Sequence, residues 1–233
     1  MPTASEYIAN KKMKVSIVSR PGRGHIPAMD VTRLNIDHIA KAISQGAQEG
    51  STDFDLNPDV RSLLPETRKL RPAAVLIPLI RRGAALNVVL TRRSAALKHH
   101  PGQIAFPGGK VERSDVSPQA AALRETQEEI GLDPACVSVL GELPFHETVT
   151  NFTITPFVGL VTQNFTPVPE AGEVDEVFEV PLNFVMDPAN LVIRGRKWHG
   201  TVRNFYVIPY GPYYIWGATA RMLKMMSDRV WLP

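Results

Sequence analysis

The sequence predicts an α/β protein in which a mixed sheet lies between helices over residues 71–233, preceded by a partly helical N-terminal extension over residues 1–70. Three observations predict it. Short apolar stretches of strand character recur from Ala73 onward, interrupted and closed by segments of helical periodicity. One of those segments, over residues 118–130, carries a start signal and a stop signal. The 233-residue length suits one well-buried domain with an extension.

Taken in order, residues 1 to 25 hold Pro2, Pro21, Gly22 and Gly24 without sustained periodicity, which predicts a peripheral, loosely ordered start. From Asp30 to Ile43 the positions Val31, Leu34, Ile36, Ile39, Ala40 and Ile43 recur at three- and four-residue spacing before Gly46, the pattern of an amphipathic helix. Residues 47–58 are polar, and Arg68, Lys69 and Arg71 precede Pro72, so a domain boundary is expected near residue 70. Ala73–Leu79 and Leu86–Thr91 then flank Arg81, Arg82 and Gly83 as the arms of a hairpin. A Gly- and Pro-punctuated loop is expected over 101–109 and further strands over 137–143, 154–161, 174–180, 191–193 and 202–208. Ile215, Ala218, Met222, Met225 and Met226 predict a closing helix over 214–230.

Composition removes several classes of function. Hydrophobic residues at 44% and charged residues at 21% are ordinary for a globular chain, and no apolar run approaches the ~18 residues of a membrane span, so no membrane partner is expected. The net charge of +3 is mild, and Arg20, Arg23, Arg33, Arg61, Arg68 and Arg71 are spread along the chain, so no nucleic-acid partner is expected either. Cys136 is the single cysteine, which excludes an internal disulfide and a Cys-rich zinc site and fits a reducing cytoplasm. Lys11, Lys12 and Lys14 precede an apolar stretch, Val15 to Val18, that is too short for a secretion signal.

The chemistry concentrates in the helix over 118–130. Ser117 caps it, Pro118 suits its first turn and Gly131 stops it. Glu125, Glu128 and Glu129 stand at i, i+3 and i+4, so their carboxylates are expected on one face, with Leu123, Gln127 and Ile130 opposite. Like charges at this spacing cost about 0.2 to 0.5 kcal/mol per pair, which a divalent cation would turn into attraction. An all-oxygen set suits Mg2+ or Mn2+ better than zinc. Arg124 reaches Glu128 four residues on and either orients that carboxylate or is a solvated charge.

Gly109, Asp115 and the run Arg124-Glu125-Thr126-Gln127-Glu128-Glu129-Ile130-Gly131-Leu132 resemble the signature box of Nudix hydrolases. The distance from Gly109 to Arg124 is one residue longer than the general pattern, Asp115 replaces its first glutamate approximately, and Thr126 stands where an aliphatic residue is usual. Upstream, Leu90-Thr91-Arg92-Arg93-Ser94, Lys98, Gly102-Gln103 and Phe106-Pro107-Gly108-Gly109 resemble the additional motif of the coenzyme A pyrophosphatases within that family, with Lys98 where the motif has arginine. That exchange keeps charge and loses bidentate phosphate recognition.

The resemblance implies an α/β/α sandwich and hydrolysis of a pyrophosphate bond in a small nucleotide-linked substrate, with coenzyme A giving 3′,5′-ADP and 4′-phosphopantetheine. It implies metal ligands Glu125, Glu128 and Glu129, catalytic roles for Arg124, Glu128 and Glu129, and substrate contacts from Arg92, Arg93, Lys98, Gly108 and Gly109. The general base is expected from Glu128, Glu129 or the later glutamates Glu170, Glu173 and Glu176, with Glu173 the chosen candidate. Another nucleoside diphosphate derivative, or a nucleotide-binding module without catalysis, are the alternatives, and a homodimer is left open. His146, Glu147 and His199 lack ligand spacing and read as ordinary polar residues. Tyr210, Tyr213, Tyr214 and Trp216 read as core.

Overall fold

A computed structural model of the chain describes residues 34–45, 49–61, 67–198 and 200–231. The start over residues 1 to 25, His199 and the first residues of the expected Asp30–Ile43 helix lie outside them. Strands β2 (Arg71–Arg82) and β3 (Ala85–Arg93) form the expected hairpin, with Arg81 and Arg82 inside the strand and the turn made at Gly83, whose φ of +63° is the left-handed value glycine tolerates. β2 runs parallel to β8 (Phe152–Val161), while β3 pairs antiparallel with β9 (Val174–Pro181). Around this centre the sheet continues through β1 (Ser51–Thr52), β4 (Ile104–Ala105), β5 (Gly108–Lys110), β6 (Val137–Glu142) and β7 (His146–Glu147) into a nine-stranded mixed assembly. The loop expected over 101–109 thus contains two short strands.

Eight consecutive buried positions, Ala73 to Ile80, show that β2 is covered on both faces. On one face Ala74, Leu76, Ile80 and Val89 pack against Ala121, Ala122 and Ile130 of helix α3 (Pro118–Ile130). On the other, Val75, Ile77, Leu79, Val88 and Leu90 pack against α1 (Ile36–Ser44), α5 (Ala218–Trp231) and a second sheet of β10 (Val192–Trp198), β11 (Thr201–Tyr210) and β12 (Tyr213–Trp216). Two short helices, α2 (Pro58–Arg61) and α4 (Leu182–Val185), complete the α/β layering.

Several boundaries differ from expectation for identifiable reasons. α1 starts at Ile36 because Asn35 caps it, its side chain accepting the His38 N–H at 2.8 Å. The closing helix starts at Ala218, since Tyr213 to Trp216 pair with β11 and Gly217, at φ +64°, separates strand from helix. The polar stretch 47–58 holds β1, which pairs parallel with β7, and buries Ser51, Phe54 and Asn57. On either side of residue 70 the chain shares one core: Ile36, Ile39 and Ile43 belong to the cluster that contains Met222 and Met226. Among the described residues no helix is long and apolar enough to cross a membrane.

Candidate active site

The site is built where β5 leads into α3. Gly108 and Gly109 lie opposite Val75 and Ala74 of β2. A Cβ on Gly108 (φ +146°) would fall 2.4 Å from the Ala74 carbonyl oxygen, and one on Gly109 would fall 2.4 Å from the Glu125 carboxyl group. At Gly108, where the obstacle is main chain, only bare backbone fits, while a side chain at Gly109 would push the Glu125 carboxyl group aside. α3 is then fixed at both ends as its sequence dictates: Ser117 accepts the Ala120 N–H at 3.1 Å, and Gly131, at φ 74°, donates to the Gln127 carbonyl.

Arg124 is the hub of the carboxylates. Its Nε and Nη2 each donate to Asp115 at 3.0 Å, its Nη1 donates to Glu125 at 3.1 Å and Glu128 at 3.0 Å, and its Nη2 also reaches the Lys110 carbonyl at 3.3 Å. The bonds to Asp115 are the main cause holding the guanidinium above its ordinary pKa, and they hold the Asp115 carboxyl below its own. Asp115 also accepts the Glu112 N–H at 2.7 Å, so the turn absorbs the extra residue of the box and still presents an acid to Arg124. Arg124 is thus hydrogen-bonded to Asp115, Glu125 and Glu128 together.

The three glutamates do not share one environment. Glu128 is 59% exposed at its side chain, Glu125 is half-buried, and Glu129 retains 4% of its surface. The expected division of the helix is corrected accordingly: Glu129 lies on the buried side with Ala122 and Thr126, and Gln127 faces solvent. Thr126 fills the aliphatic position because its hydroxyl is satisfied within the helix, donating to the Ala122 carbonyl at 2.6 Å. Glu129 accepts the Gly108 N–H at 3.1 Å and lies 3.7 Å from Arg93 Nη1. Burial pushes its pKa up to about 7, against the pull of Gly108 and Arg93 and with help from Glu173 and Glu125. Glu125 is also raised, chiefly by burial, although Arg124 opposes it.

The later glutamates divide three ways. The loop before β9 is tied to the end of α3 by Val168 N–H to the Ile130 carbonyl and Glu170 N–H to the Glu129 carbonyl, both at 2.9 Å. This brings Glu173 close enough to act on both Glu125 and Glu129. Glu170 spends its carboxylate on the Gly172 N–H at 2.8 Å. Glu176 faces the far side of the sheet, where it accepts the Tyr213 hydroxyl at 2.6 Å and pairs with Arg92 at 3.3 Å. Alternation along β3 therefore separates the two arginines: Arg93 reaches the glutamates and Arg92 does not. Lys98 is exposed on the following loop.

Whether these residues suit a dication can be judged from their chemistry. Among the described residues no three His, Cys, Asp or Glu side chains stand as a ready ion cage; Arg124 and Arg93 hold the carboxylates instead. The donor set is nonetheless all oxygen, crowded with like charge, and contains one buried acid with a single backbone donor. Such a set gains from a hard dication, so the residues fit a divalent metal ion.

His146, which reads from sequence as an ordinary polar residue, is fully buried. Its Nδ1 shares a 2.8 Å hydrogen bond with Ser51 Oγ, and its Nε2 lies 3.5 Å from Asp53. No local signal marks this contact, because its partners are 95 and 93 residues upstream.

The NUDIX domain family model matches residues 69–200. NudL, an uncharacterized Nudix hydrolase of Citrobacter koseri, is 41% identical over 170 residues, covering 71% of this chain and 85% of that protein. NudL of Salmonella heidelberg is 36% identical over 207 residues, covering 87% of this chain and 98% of that protein. The second likeness extends well beyond residues 69–200.

Proposed function

The chain belongs to the Nudix hydrolase family and is a pyrophosphohydrolase, and from this premise we propose that it cleaves coenzyme A or a derivative to 3′,5′-ADP and 4′-phosphopantetheine with Mg2+ or Mn2+. The observation that carries the substrate choice is the joining of the two signatures at one carboxylate. Gly108 of the Phe106-Pro107-Gly108-Gly109 segment donates to Glu129, and Arg93 of the upstream motif is its nearest cation.

In this mechanism Glu125, Glu128 and Glu129 would hold the metal, with a backbone carbonyl near Gly109 in support. When bound, a dication supplies charge for the phosphate oxygens and makes water more acidic. Arg124 is a positioning residue, fixing Glu125 and Glu128 against Asp115. Arg93 and Lys98 offer positive charge to the phosphates, and Gly108 and Gly109 let the backbone approach them. Arg92 would contribute only as part of that basic surface. Glu173 takes a proton from the attacking water as the water oxygen bonds to one phosphorus, and the bridging P–O bond to that phosphorus breaks so that the other phosphate-bearing half leaves with the bridging oxygen. Residues 71–233 form the catalytic unit, and residues 1–70 are an extension whose described part is built into the same core.

The test is incubation of the protein with coenzyme A and Mg2+ or Mn2+, with products identified by mass spectrometry. Glu128→Gln and a chelator serve as controls. Release of both products, lost in each control, supports the proposal. Survival of coenzyme A beside cleavage of an NDP-sugar, a dinucleotide or a nucleoside triphosphate would move the substrate and point to Lys98, where the motif has arginine.

A further inference from the structure

Arg93 is held firmly at its backbone and loosely at its tip. Its N–H donates to the Gln103 carbonyl at 3.0 Å, and its carbonyl accepts the Gly102 N–H at 3.1 Å. The β3–β9 register shifts here, leaving Asp175 as the extra residue, and the Asp175 carboxylate accepts the Ala95 N–H at 3.0 Å. Such bulges re-aim side chains beside functional sites. The Arg93 side chain stays 27% exposed, and its guanidinium ends 3.7 Å from Glu129, a charge contact too long for a hydrogen bond. Arg124, in contrast, makes hydrogen bonds to Asp115, Glu125, Glu128 and the Lys110 carbonyl.

We propose that Arg93 is the exchangeable counter-ion of Glu129: it is the cation that faces this buried acid in the metal-free protein and is released when the carboxylate binds a dication, leaving its guanidinium free for an anionic substrate oxygen. The proposal rests on the reading of Glu129 as a metal ligand. A buried carboxylate is poorly tolerated without an opposite charge, and two cations on one carboxylate repel each other. The loose contact and the solvent access at the tip let the side chain leave without moving the clamped backbone. Once free, the planar guanidinium matches phosphate geometry in a way lysine does not. Arg93 thus delays metal loading and then serves the substrate, which makes metal before substrate the favoured order.

The experiment is a substrate-free Mn2+ titration, with the free ion followed by electron paramagnetic resonance, on the wild type, Arg93→Gln, Arg93→Lys, Arg92→Gln and Glu129→Gln. Arg93→Gln removes the competitor and should bind Mn2+ at least about five-fold more tightly. Arg93→Lys, which keeps the charge, and Arg92→Gln, which lies on the far face, should stay within about two-fold of wild type. Equal tightening in Arg92→Gln would mean a general charge effect and overturn the proposal. So would unchanged or weaker binding in Arg93→Gln while Glu129→Gln loses affinity. Wild-type affinity in Glu129→Gln would instead remove the metal-ligand reading, and the proposal with it. A second readout is the Arg93 side-chain 15Nε resonance, assigned by its loss in Arg93→Gln: it should shift on adding Mg2+ to the wild type and stay fixed in Glu129→Gln.

Discussion

Asp53 and Glu129 are both nearly buried acids with a basic neighbour, and they end in opposite states. Burial pushes Asp53 up, but His146, Arg203 and the Val149 N–H outweigh it and hold the carboxyl below its ordinary value. The Arg203 and Val149 bonds are 2.8 and 2.9 Å long. Around Asp53, Asp55 meets Arg221 at 2.7 Å, and Asn57 and Asn204 exchange two bonds of 2.8 and 2.6 Å. For Glu129 burial wins, because one N–H and a distant guanidinium are too little and Glu125 and Glu173 add like charge. The comparison teaches that Asp53, bonded to an arginine and a backbone N–H, ties residues 51–57 to the domain, while Glu129, short of partners, is the acid that the proposed function assigns to a ligand.

If that division is right, removing each acid damages a different property. Glu129→Gln should lower the hydrolysis rate by about 10^3-fold while leaving the fold as stable or more so, which steady-state assay and urea denaturation would check together. Asp53→Ala should do the reverse. Leaving His146 and Arg203 without their buried partner should cost about 3 to 5 kcal/mol, read as a lower urea midpoint, with kcat of the folded fraction within about two-fold.

The two acids should also carry opposite pH signs. Glu129 is raised from 4.5 to about 7, so between those values the folded, metal-free protein binds more protons than the unfolded chain. Its contribution is fully present below about pH 4.5 and declines as pH rises through 7, a change of about 3 kcal/mol. Urea denaturation in chelator should show that decline between pH 5 and 8 in the wild type, and a flatter profile in Glu129→Gln. Asp53 is lowered from 3.8; its contribution is present above that value and is lost as pH falls through the folded pKa. The smallest effect belongs to the surface pair of Arg82 and Glu179, 43% and 28% exposed. Arg82→Ala should cost under about 1 kcal/mol, less than any change in the Asp53 cluster.

What was legible in the sequence follows how local its signals were. Helix α3 spans the residues its cap, proline and terminal glycine mark, and the β2–β3 hairpin is signalled by Gly83. The start of α5 was obscured because helical spacing from Ile215 runs straight through Gly217, and only pairing with β11 makes Tyr213 to Trp216 a strand. The polar 47–58 stretch resembles a linker until β7 and Asn204, nearly a hundred or more residues away, supply its partners. At the site, Arg124 and the glutamates could be named from spacing, and Asp115 only from the resemblance to the Nudix box. Period-two alternation implies that one of Arg92 and Arg93 faces outward without saying which. The i, i+3, i+4 pattern places three glutamates together without revealing that the 108–110 backbone covers only Glu129 and Glu125.

In the proposed function the α3 glutamates, loaded with a dication, break a pyrophosphate bond. The most direct test is product analysis by mass spectrometry on a panel of coenzyme A, ADP-ribose and a dinucleoside polyphosphate. Wild type and Glu129→Gln would each be run with Mg2+, Mn2+ or chelator. Cleavage between phosphates by the wild type with metal alone, lost in both chelator and variant, is the result expected. Equal cleavage by Glu129→Gln, or undiminished cleavage in chelator, would contradict it.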